Sequence, residues 1–359
     1  SLRIICERET ERDKHIKEEY WPISSKFEYN DFIFDAELIK FNEEDLKKNP
    51  ISSEKDVREI ESELKSSEFF IKSIETKPQS SSPNPPFRTS TLQMTASSFL
   101  GFTADRTMRA AQNLYEAGLI TYLRTDGINI STSPNTGEPF SEENPGPPPL
   151  QEIRNVIVEK FGDKFLSDQV RVYKSKVKNS QEAHEAIRPT NIKTYPENIN
   201  LGQDEQKLYT LIWNRTVSSQ MSNSQHERKK IVVCSKDQKY VFNASSRKTL
   251  FEGFETLSKK DSSEIIEFPE NLKENENVSL AEFISEQKFT SPPNRYSEAS
   301  LIKKMEELGI GRPSTYASTV KGLRDKKYAY GAKSIAPSDL GRVLNSYLSG
   351  VYKEFFIET

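Results

Sequence analysis

The chain has 359 residues and nearly balanced charge: 51 lysines and arginines and 54 aspartates and glutamates leave a formal net charge of -3 at pH 7. A uniformly basic coat for nucleic acid is therefore excluded, although local basic patches are not. Two cysteines cannot form a disulfide scaffold or a four-cysteine zinc site. No apolar run approaches the roughly 18–20 residues of a membrane span. The chain is longer than the domains that a single hydrophobic core usually supports. We expect a soluble protein of two or three domains.

Two segments, residues 21–85 and 225–288, alternate apolar and polar side chains with the period of a β-strand. In the first segment, aromatic residues lie on both sides of a turn predicted at Asn30-Asp31. We expect the two segments to form one β-rich domain. A mainly helical block, residues 86–224, is then inserted between them.

A charged helix within residues 1–20 precedes the first β segment. In the helical block, Gly101 is predicted to end one helix and Thr103 to cap the next. Residues 77–86 are rich in serine and proline, which predicts a linker that does not pack. Residues 133–149, rich in proline, glycine and glutamate, have no period and predict an exposed insertion.

The last part of the chain, residues 289–359, changes pattern again. Ser297 is predicted to cap a helix, Gly309 and Gly311 turn the chain, and a second helix begins near Ser314. Short strands are expected within residues 328–335. This order is similar to a winged helix-turn-helix, and a helical hairpin packed against another element fits it as well.

Tyr122 lies near the end of a predicted strand, residues 119–123, and Arg124 follows two positions later, so both side chains share one face. A phenol is a poor nucleophile at neutral pH, but an adjacent guanidinium favours its ionised form and can hold a phosphate by paired hydrogen bonds. The pair suits attack on a phosphodiester to give a phosphotyrosine. The same spacing also fits a structural interpretation, in which Tyr122 is a core residue and Arg124 extends to solvent at the end of the strand.

His184 and Arg188 are four residues apart in a short helix that Pro189 is predicted to end. The histidine can donate a proton or bond a phosphate, whereas the arginine supplies positive charge only. A surface histidine without a catalytic role fits the pattern equally.

Arg312, Ser314 and Thr315 follow the glycine turn at the start of a predicted helix, where they can cradle a phosphate. Ordinary helix capping explains the same residues. The sequence has no GxxxxGK[ST] loop for nucleotide phosphates, no Asp-x-Asp pair for Mg²⁺, and no histidine and cysteine cluster with metal-ligand spacing. Neither an ATP-driven motor nor a metal site is predicted.

Taken together, these motifs resemble type IA DNA topoisomerases, in particular the bacterial topoisomerase I branch. Residues 118–126 resemble the active-site signature of that family, residues 182–189 its histidine motif, and residues 85–93 the hinge into its tyrosine-bearing domain. Further matches to the family pattern lie at residues 211–215, 297–301 and 310–316. The resemblance extends over nearly the whole chain.

The resemblance implies that Tyr122 attacks one DNA strand and becomes linked to its 5′ phosphate, while Arg124 neutralises the phosphate and His184 assists proton transfer. The other strand passes through the gap, and the break is resealed without ATP, which relaxes negative supercoils. The family pattern also implies a set of DNA-binding residues: Thr125, Asp126, Arg188, Arg312, Ser314 and Thr315.

The implied fold is α+β and multidomain, and forms part of a toroidal clamp. Residues 21–85 and 225–288 would be its β-rich arch, and residues 86–224 the helical domain that carries the tyrosine. The helix of residues 1–20 and the winged-helix-like residues 289–359 would belong to the strand-binding domain.

Family members bind Mg²⁺ through acidic residues of an amino-terminal Toprim domain, which these 359 residues do not include. We therefore expect Mg²⁺ in a full-length enzyme, no metal site in this chain, and no relaxation by the chain alone. A monomer acting on single-stranded or negatively supercoiled DNA in the bacterial nucleoid is expected. Gly127 stands where bacterial members usually have serine.

Two other functions fit parts of the pattern. A catalytically silent DNA-binding or scaffold module would use Tyr122 only as a structural residue. A tyrosine recombinase would form a 3′-phosphotyrosine and would surround its nucleophile with catalytic arginines.

Overall fold

The structure, a computed structural model, describes residues 1–131, 148–174, 184–258 and 267–351. The predicted insertion at 133–149 therefore lies outside the described residues, except for its last two, as do the first two residues of the histidine motif. None of the helices in these ranges is both long enough and apolar enough to cross a membrane.

The described ranges contain both helices and strands, as the α+β prediction requires. The α-helices are α1 Leu2–Asp13, α2 Glu54–Ser66, α3 Thr89–Leu100, α4 Ala104–Glu116, α5 Pro149–Phe161, α6 Gln203–Ser218, α7 Glu298–Glu307, α8 Tyr316–Asp325 and α9 Asp339–Val351. The strands are β1 Glu19–Tyr20, β2 Ile23–Tyr29, β3 Phe32–Phe41, β4 Glu44–Asp45, β5 Phe69–Ser81, β6 Ser224–Ser235, β7 Tyr240–Phe251, β8 Asn277–Ser285, β9 Lys288–Phe289, β10 Ala329–Tyr330 and β11 Ala336–Pro337. Short 3-10 helices lie at Asp163–Phe165, Pro196–Asn198 and Gly253–Leu257.

The large antiparallel sheet closes on itself as a barrel. Its strand order is β2-β8-β5-β6-β7-β3-β4, and a further pairing of β2 with β3 closes the ring. At the β2–β3 turn, Asn30 and Asp31 have φ angles of 47° and 64°, as a tight two-residue hairpin requires. Strands from both predicted β segments pair in this sheet, so segments far apart in sequence are neighbours in space.

Four phenylalanine rings form the centre of the barrel. Phe27 is fully buried, with ring centroids 5.1 Å from Phe69 and 5.0 Å from Phe242, both edge-to-face, and 6.1 Å from Phe34. Helix α2 packs against this core and was not predicted. Its buried residues have the i, i+3, i+7 spacing of a helix face, which is the signal that predicts it: Val57, Ile60 and Leu64.

Beyond the barrel, β5, β6 and β7 continue as a three-stranded ribbon, which comprises residues 75–81, 224–230 and 245–251. The predicted linker at 77–86 is therefore wrong for its first half, because residues 77–81 are part of β5. Pro78 is tolerated there because β8 pairs only with Phe69 and Phe70, which leaves one side of β5 as a free edge. The ribbon leads from the barrel to the helical block.

The helical block packs α3 to α6 around its own apolar core. Gly101 ends α3 with a left-handed φ of 68°, and the hydroxyl of Thr103 accepts a hydrogen bond from the backbone N–H of Arg106 at 3.2 Å. Both predictions for these helix ends are confirmed. The indole of Trp213 in α6 donates to the carbonyl of Ile192 at 2.9 Å, which ties α6 to the preceding loop.

The C-terminal helices share a third core with the first helix of the chain. Ile5 of α1 packs with Leu301 and Met305 of α7, and the pair β10–β11 follows α8. The carboxylate of Glu9 accepts two hydrogen bonds from Arg295, at 2.6 and 2.9 Å. The elements of the predicted winged helix-turn-helix are thus present in the expected order, with α1 attached to them.

Replacing Phe27 by alanine should lower the free energy of unfolding by about 3–5 kcal/mol, because a large ring at the centre of the barrel leaves a cavity. Urea unfolding followed by tryptophan fluorescence measures this change, since Trp21 packs against the same core. Ile33 is the control: its side chain lies in the neighbouring strand and is 50% exposed. Equal losses for Phe27→Ala and Ile33→Ala would contradict the assignment of this core.

Candidate functional site

The segment that carries Tyr122 is not a regular strand. The predicted strand at 119–123 is wrong, because the structure has only an isolated bridge between Ile120 and Pro189. Hydrogen bonds to the following segment take the place of a sheet: the N–H of Thr121 donates to the carbonyl of Arg188 at 2.9 Å, and the N–H of Thr190 donates to Leu119 at 3.1 Å. The segment is bent in several places and is anchored by these hydrogen bonds without belonging to a sheet.

Side chains in this segment still alternate between solvent and interior. Tyr122 and Arg124 are exposed, whereas Leu123 and Thr125 between and after them are buried. The predicted sharing of one side by Tyr122 and Arg124 therefore agrees with the burial pattern. This alternation also argues against a core tyrosine at position 122.

The ring of Tyr122 lies between two other rings and remains open to solvent. It is 37% exposed, its centroid is 5.3 Å from the imidazole of His184, and it meets Tyr115 edge-to-face at 5.6 Å. The structure thus brings Tyr122 and His184 together, as predicted. Tyr115 was not predicted at the site. Its position seven residues before Tyr122, at the end of α4, gives no sequence signal for the contact.

The histidine motif is not helical in the described residues. Residues 184–190 have extended or bent backbone, and the N–H of Ile187 donates to the carbonyl of Phe87 at 2.7 Å. The predicted helix with His184 and Arg188 on one face is therefore wrong. Backbone hydrogen bonds to neighbouring segments stabilise the extended form, and sequence spacing alone cannot reveal them.

Arg188 is buried, at 4% exposure, and its guanidinium is occupied within the protein. It donates two hydrogen bonds of 2.9 Å to the carboxylate of Glu185 and further ones to the carbonyls of Pro189 and Thr190. Such a buried ion pair fixes the backbone that follows His184. The geometry gives Arg188 a positioning role and does not leave it free to bind DNA.

Thr89, the first residue of α3, holds the segment that follows Tyr122. Its hydroxyl donates to the carbonyl of Leu123 at 2.7 Å and accepts from the N–H of Thr125 at 2.9 Å. The backbone N–H of Thr89 in turn donates to the carbonyl of Thr125 at 3.0 Å. Thr125 itself is 3% exposed, and its hydroxyl accepts a hydrogen bond from the N–H of Gly127 at 2.9 Å. Thr125 is therefore a structural link in this segment.

Asp126 lies where α3, α7 and the turn before α8 meet. Burial and the negative charge of Glu306 raise the pKa of the Asp126 carboxyl, while Arg88 and Arg312 act in the opposite direction. Glu306 is held by Arg88 at 2.6 and 3.0 Å and by the hydroxyl of Ser90 at 2.5 Å. The charge of Arg312 thus acts on the same segment as Tyr122, although the two residues are far apart in sequence.

The turn before α8 carries the three predicted binding residues, and all of them are exposed. The hydroxyl of Thr315 accepts from the N–H of Arg312 at 2.8 Å, and the Arg312 guanidinium donates to the carbonyl of Gly311 at 2.7 Å. Arg312, Ser314 and Thr315 are all exposed. Tyr316 is buried below them, and burial together with Glu306 and Asp126 raises its pKa to about 12. The turn presents Arg312 and Ser314 outward.

Metal binding is not supported by the side chains near Tyr122. Within the ranges that the structure describes, no three histidine, cysteine, aspartate or glutamate residues are grouped so as to hold a metal ion. Of the carboxylates around this segment, Glu306 is already bound by Arg88 and Ser90, and Glu185 by Arg188, while Asp126 is half-buried. These residues do not fit a Mg²⁺ site, which needs several free oxygen ligands.

Gly127 permits the close contact between the tyrosine segment and the histidine motif. A Cβ at this position would lie 2.1 Å from the carbonyl oxygen of His184. A serine, usual in bacterial members of the family that the sequence resembles, would require the His184 backbone to move.

Gly127→Ala should lower the free energy of unfolding by about 1–3 kcal/mol, because an added methyl group meets rigid backbone. Thermal unfolding measures the effect. Gly322 is the matched control: it lies inside α8 with nothing within 4 Å of an added Cβ, so Gly322→Ala should stabilise the protein by about 0.5–1 kcal/mol. A Gly127→Ala protein as stable as the wild type would contradict the close approach.

Comparisons with known proteins agree with this fold. The sequence profile of a family described as DNA topoisomerase matches residues 1–358. DNA topoisomerase 1 of Rickettsia felis is 43% identical over 99% of this chain and 46% of that protein, and DNA topoisomerase 1 of Helicobacter pylori is 40% identical over 91% and 43%.

Full-length topoisomerase I from Thermotoga maritima has a similar structure, with a TM-score of 0.80 and 34% identity over 98% of this chain and 55% of that one. This chain spans less than half the length of the two curated relatives. Because the family match covers all but one residue, the chain belongs to the DNA topoisomerase family.

Proposed function

We propose that this chain is the strand-cleaving core of a type IA DNA topoisomerase and that Tyr122 is its nucleophile. The observation that supports the proposal most directly is the exposed Tyr122 ring, 37% exposed, with the imidazole of His184 at 5.3 Å and Arg124 exposed two residues away. A nucleophile, a group for proton transfer and a cation for the phosphate meet on one open surface.

In the proposed reaction the phenolic oxygen of Tyr122 forms a bond to phosphorus as the bond from phosphorus to the 3′ oxygen breaks. The phenolic proton leaves the tyrosine, and a proton reaches the departing 3′ oxygen; His184 is the nearby group that can move these protons. Arg124 balances the negative charge of the phosphate. Resealing is the reverse step, and it needs no ATP because the phosphotyrosine retains the energy of the diester.

The substrate strand is proposed to extend from Tyr122 towards the turn before α8. The pKa shift of Asp126 indicates that the charge of Arg312 is felt in the tyrosine segment, and Arg312 and Ser314 remain exposed. Thr315, exposed at the start of α8, is proposed to contact the same strand. Of the other predicted DNA-binding residues, Arg188 and Thr125 act by positioning the backbone, because both are buried.

The complete reaction is proposed to need Mg²⁺ held outside this chain, in the acidic Toprim domain that the family resemblance implies. When bound, Mg²⁺ would supply positive charge at the phosphate. The proposed partner is single-stranded or negatively supercoiled DNA, bound by a monomer in the nucleoid. With the family shown and the tyrosine exposed, a scaffold without catalysis remains only as an outcome of the following test.

Tyr122→Phe should abolish a covalent DNA adduct, because phenylalanine lacks the attacking oxygen. The test mixes the full chain and Mg²⁺ with the Toprim-containing part of a longer relative and with a single-stranded oligonucleotide labelled at its 3′ end. Tyrosine linked to a 5′ phosphate then carries the label on a denaturing gel. Tyr115→Phe is the matched control and should keep the adduct, since its ring only contacts Tyr122.

An adduct that persists in Tyr122→Phe would show that another residue is the nucleophile. A label transferred only from oligonucleotides marked at the 5′ end would indicate 3′-phosphotyrosine chemistry, as in tyrosine recombinases. No adduct in any mixture would favour the silent DNA-binding module.

Arg312→Ala should reduce the salt dependence of DNA binding by about one unit in the slope of log K against log [salt], because one phosphate contact is lost. Fluorescence anisotropy of a labelled oligonucleotide over a range of NaCl concentrations measures the slope. Arg58→Ala is the control, since Arg58 is exposed on α2 and paired with Glu54. An unchanged slope for Arg312→Ala would remove that residue from the DNA site.

A further inference from the structure

Three cations lie directly opposite one another across the strands of the ribbon. Lys77 of β5 pairs with Arg228 of β6, and Arg228 pairs with Arg247 of β7. Directly paired residues of antiparallel strands place their side chains on the same face of the sheet, so the three form one row. The strands are spaced at about 4.7–4.9 Å, which gives the row a length of about 10 Å.

Like charges in directly opposed positions destabilise a sheet, so such a row needs compensation. Lys77 has a carboxylate of Glu75 at 2.5 Å, and Arg247 has Glu255 at 3.4 Å. Arg228 is exposed and has no ion pair or hydrogen bond from its guanidinium among the residues that the structure describes. The central cation of the row is therefore the one left uncompensated there.

The charge of this face is increased by its neighbours. Lys230 lies two residues after Arg228 in β6 and so on the same face, opposite Glu75 of β5. The carboxylate of Glu255 is shared between Arg247 and two other partners. It also accepts a hydrogen bond from Ser224 at 2.8 Å and contacts the ring of His226 at 3.3 Å. Four cations thus face two shared carboxylates.

The opposite face of the ribbon is different. There, Lys248 pairs with Glu267 at 3.1 Å, and the ammonium of Lys229 donates to the carbonyl of Pro269 at 3.0 Å. Positive charge on that side is satisfied by the protein itself. The uncompensated charge belongs to one face of the ribbon.

We propose that the row Lys77, Arg228 and Arg247, with Lys230 beside it, binds the sugar–phosphate backbone of a DNA strand. Successive phosphates of one strand follow at about 3.4 Å along a duplex axis, so a row of about 10 Å covers a few of them. Beside the row, Ser245 and Thr249 offer exposed hydroxyls, whereas the ring of His226 on the same face is buried and is not available to stack on a base. Binding is therefore to phosphate, independent of base sequence and strongly dependent on salt.

This site lies outside the residues gathered around Tyr122 and uses the strands that join the barrel to the helical block. The proposal rests on the proposed function only in taking DNA as the partner. It assigns a DNA contact to the β-rich part of the chain, where none of the residues predicted from the sequence lies.

The experiment measures binding of a labelled single-stranded oligonucleotide by the full chain over a range of NaCl concentrations. The slope of log K against log [salt] should fall by about 0.7 for Arg228→Ala and by about 1.4 for the double variant Arg228→Ala with Arg247→Ala, one and two phosphates being lost. Lys248→Ala, on the opposite face of the same strand, should leave the slope unchanged. An uncharged-backbone oligonucleotide of the same sequence should not compete for the site.

Thermal unfolding of the same variants separates binding from folding. Removing a repelled cation should leave the melting temperature of Arg228→Ala equal to or above that of the wild type. A wild-type slope in the double variant, or an equal loss in Lys248→Ala, would overturn the proposal.

The Tyr122 adduct is measured in parallel on the wild type. An adduct together with unchanged slopes would refute the ribbon site and leave the proposed function standing. Reduced slopes without an adduct would support the ribbon site although the proposed function had failed.

Discussion

The arrangement of the candidate site depends on the hydrogen bonds between Thr89 and the backbone after Tyr122. An exposed side chain such as that of Tyr122 must be held without being covered, and the structure does this from the buried side of the segment. The Thr89 hydroxyl is bonded to the carbonyl of Leu123 at 2.7 Å and to the N–H of Thr125 at 2.9 Å. Because both of these residues are buried, the alternate ones, Tyr122 and Arg124, are directed to solvent. Rigid support beneath an open side chain is what a preorganised site requires.

The same turn of α3 also holds the C-terminal part of the chain. Arg88 and Ser90, on either side of Thr89, bind Glu306 of α7, whose side chain is only 8% exposed. Separating α3 from α7 would leave buried charges without partners, and such a separation is costly. The position of Tyr122 relative to Arg312 is therefore set by three consecutive residues at the start of one helix.

Local features of the fold could be predicted from the sequence because short-range chemistry determines them. The hairpin at Asn30-Asp31, the cap at Thr103 and the helix end at Gly101 depend on φ preference or on a neighbouring N–H, and all are confirmed. The capping box of Ser297 belongs to the same class. The pairing of distant strands into one sheet was predicted from the similar pattern of the two β segments. The closure of this sheet into a barrel was not predicted.

The errors in the site have a common cause. Residues 119–123 were predicted as a strand and residues 184–188 as a helix, but the first segment is bonded to residues 188–190 and the second also to residue 87. An arginine is a residue type that binds phosphate, so the sequence favours that role for Arg188. Only the structure shows that its charge is neutralised by Glu185 within the protein. Tertiary hydrogen bonds decide these cases, and spacing along the chain does not record them. The domain boundaries and the roles of the individual site residues stay predictions.

The net charge of the chain does not reveal where positive charge is exposed, and the structure supplies that information. A formal net charge of -3 gives no sign of a nucleic-acid surface, since cations and carboxylates are nearly equal in number. What matters is which cations the fold pairs internally. Arg188 and Lys248 have carboxylate partners, whereas Arg228 is placed between Lys77 and Arg247 by strand register alone. Like charges that face each other across a sheet lower its stability. A fold in which such cations stay exposed on one face attracts a polyanion to that face. The register of the ribbon, more than its composition, therefore determines where this chain carries uncompensated positive charge away from Tyr122.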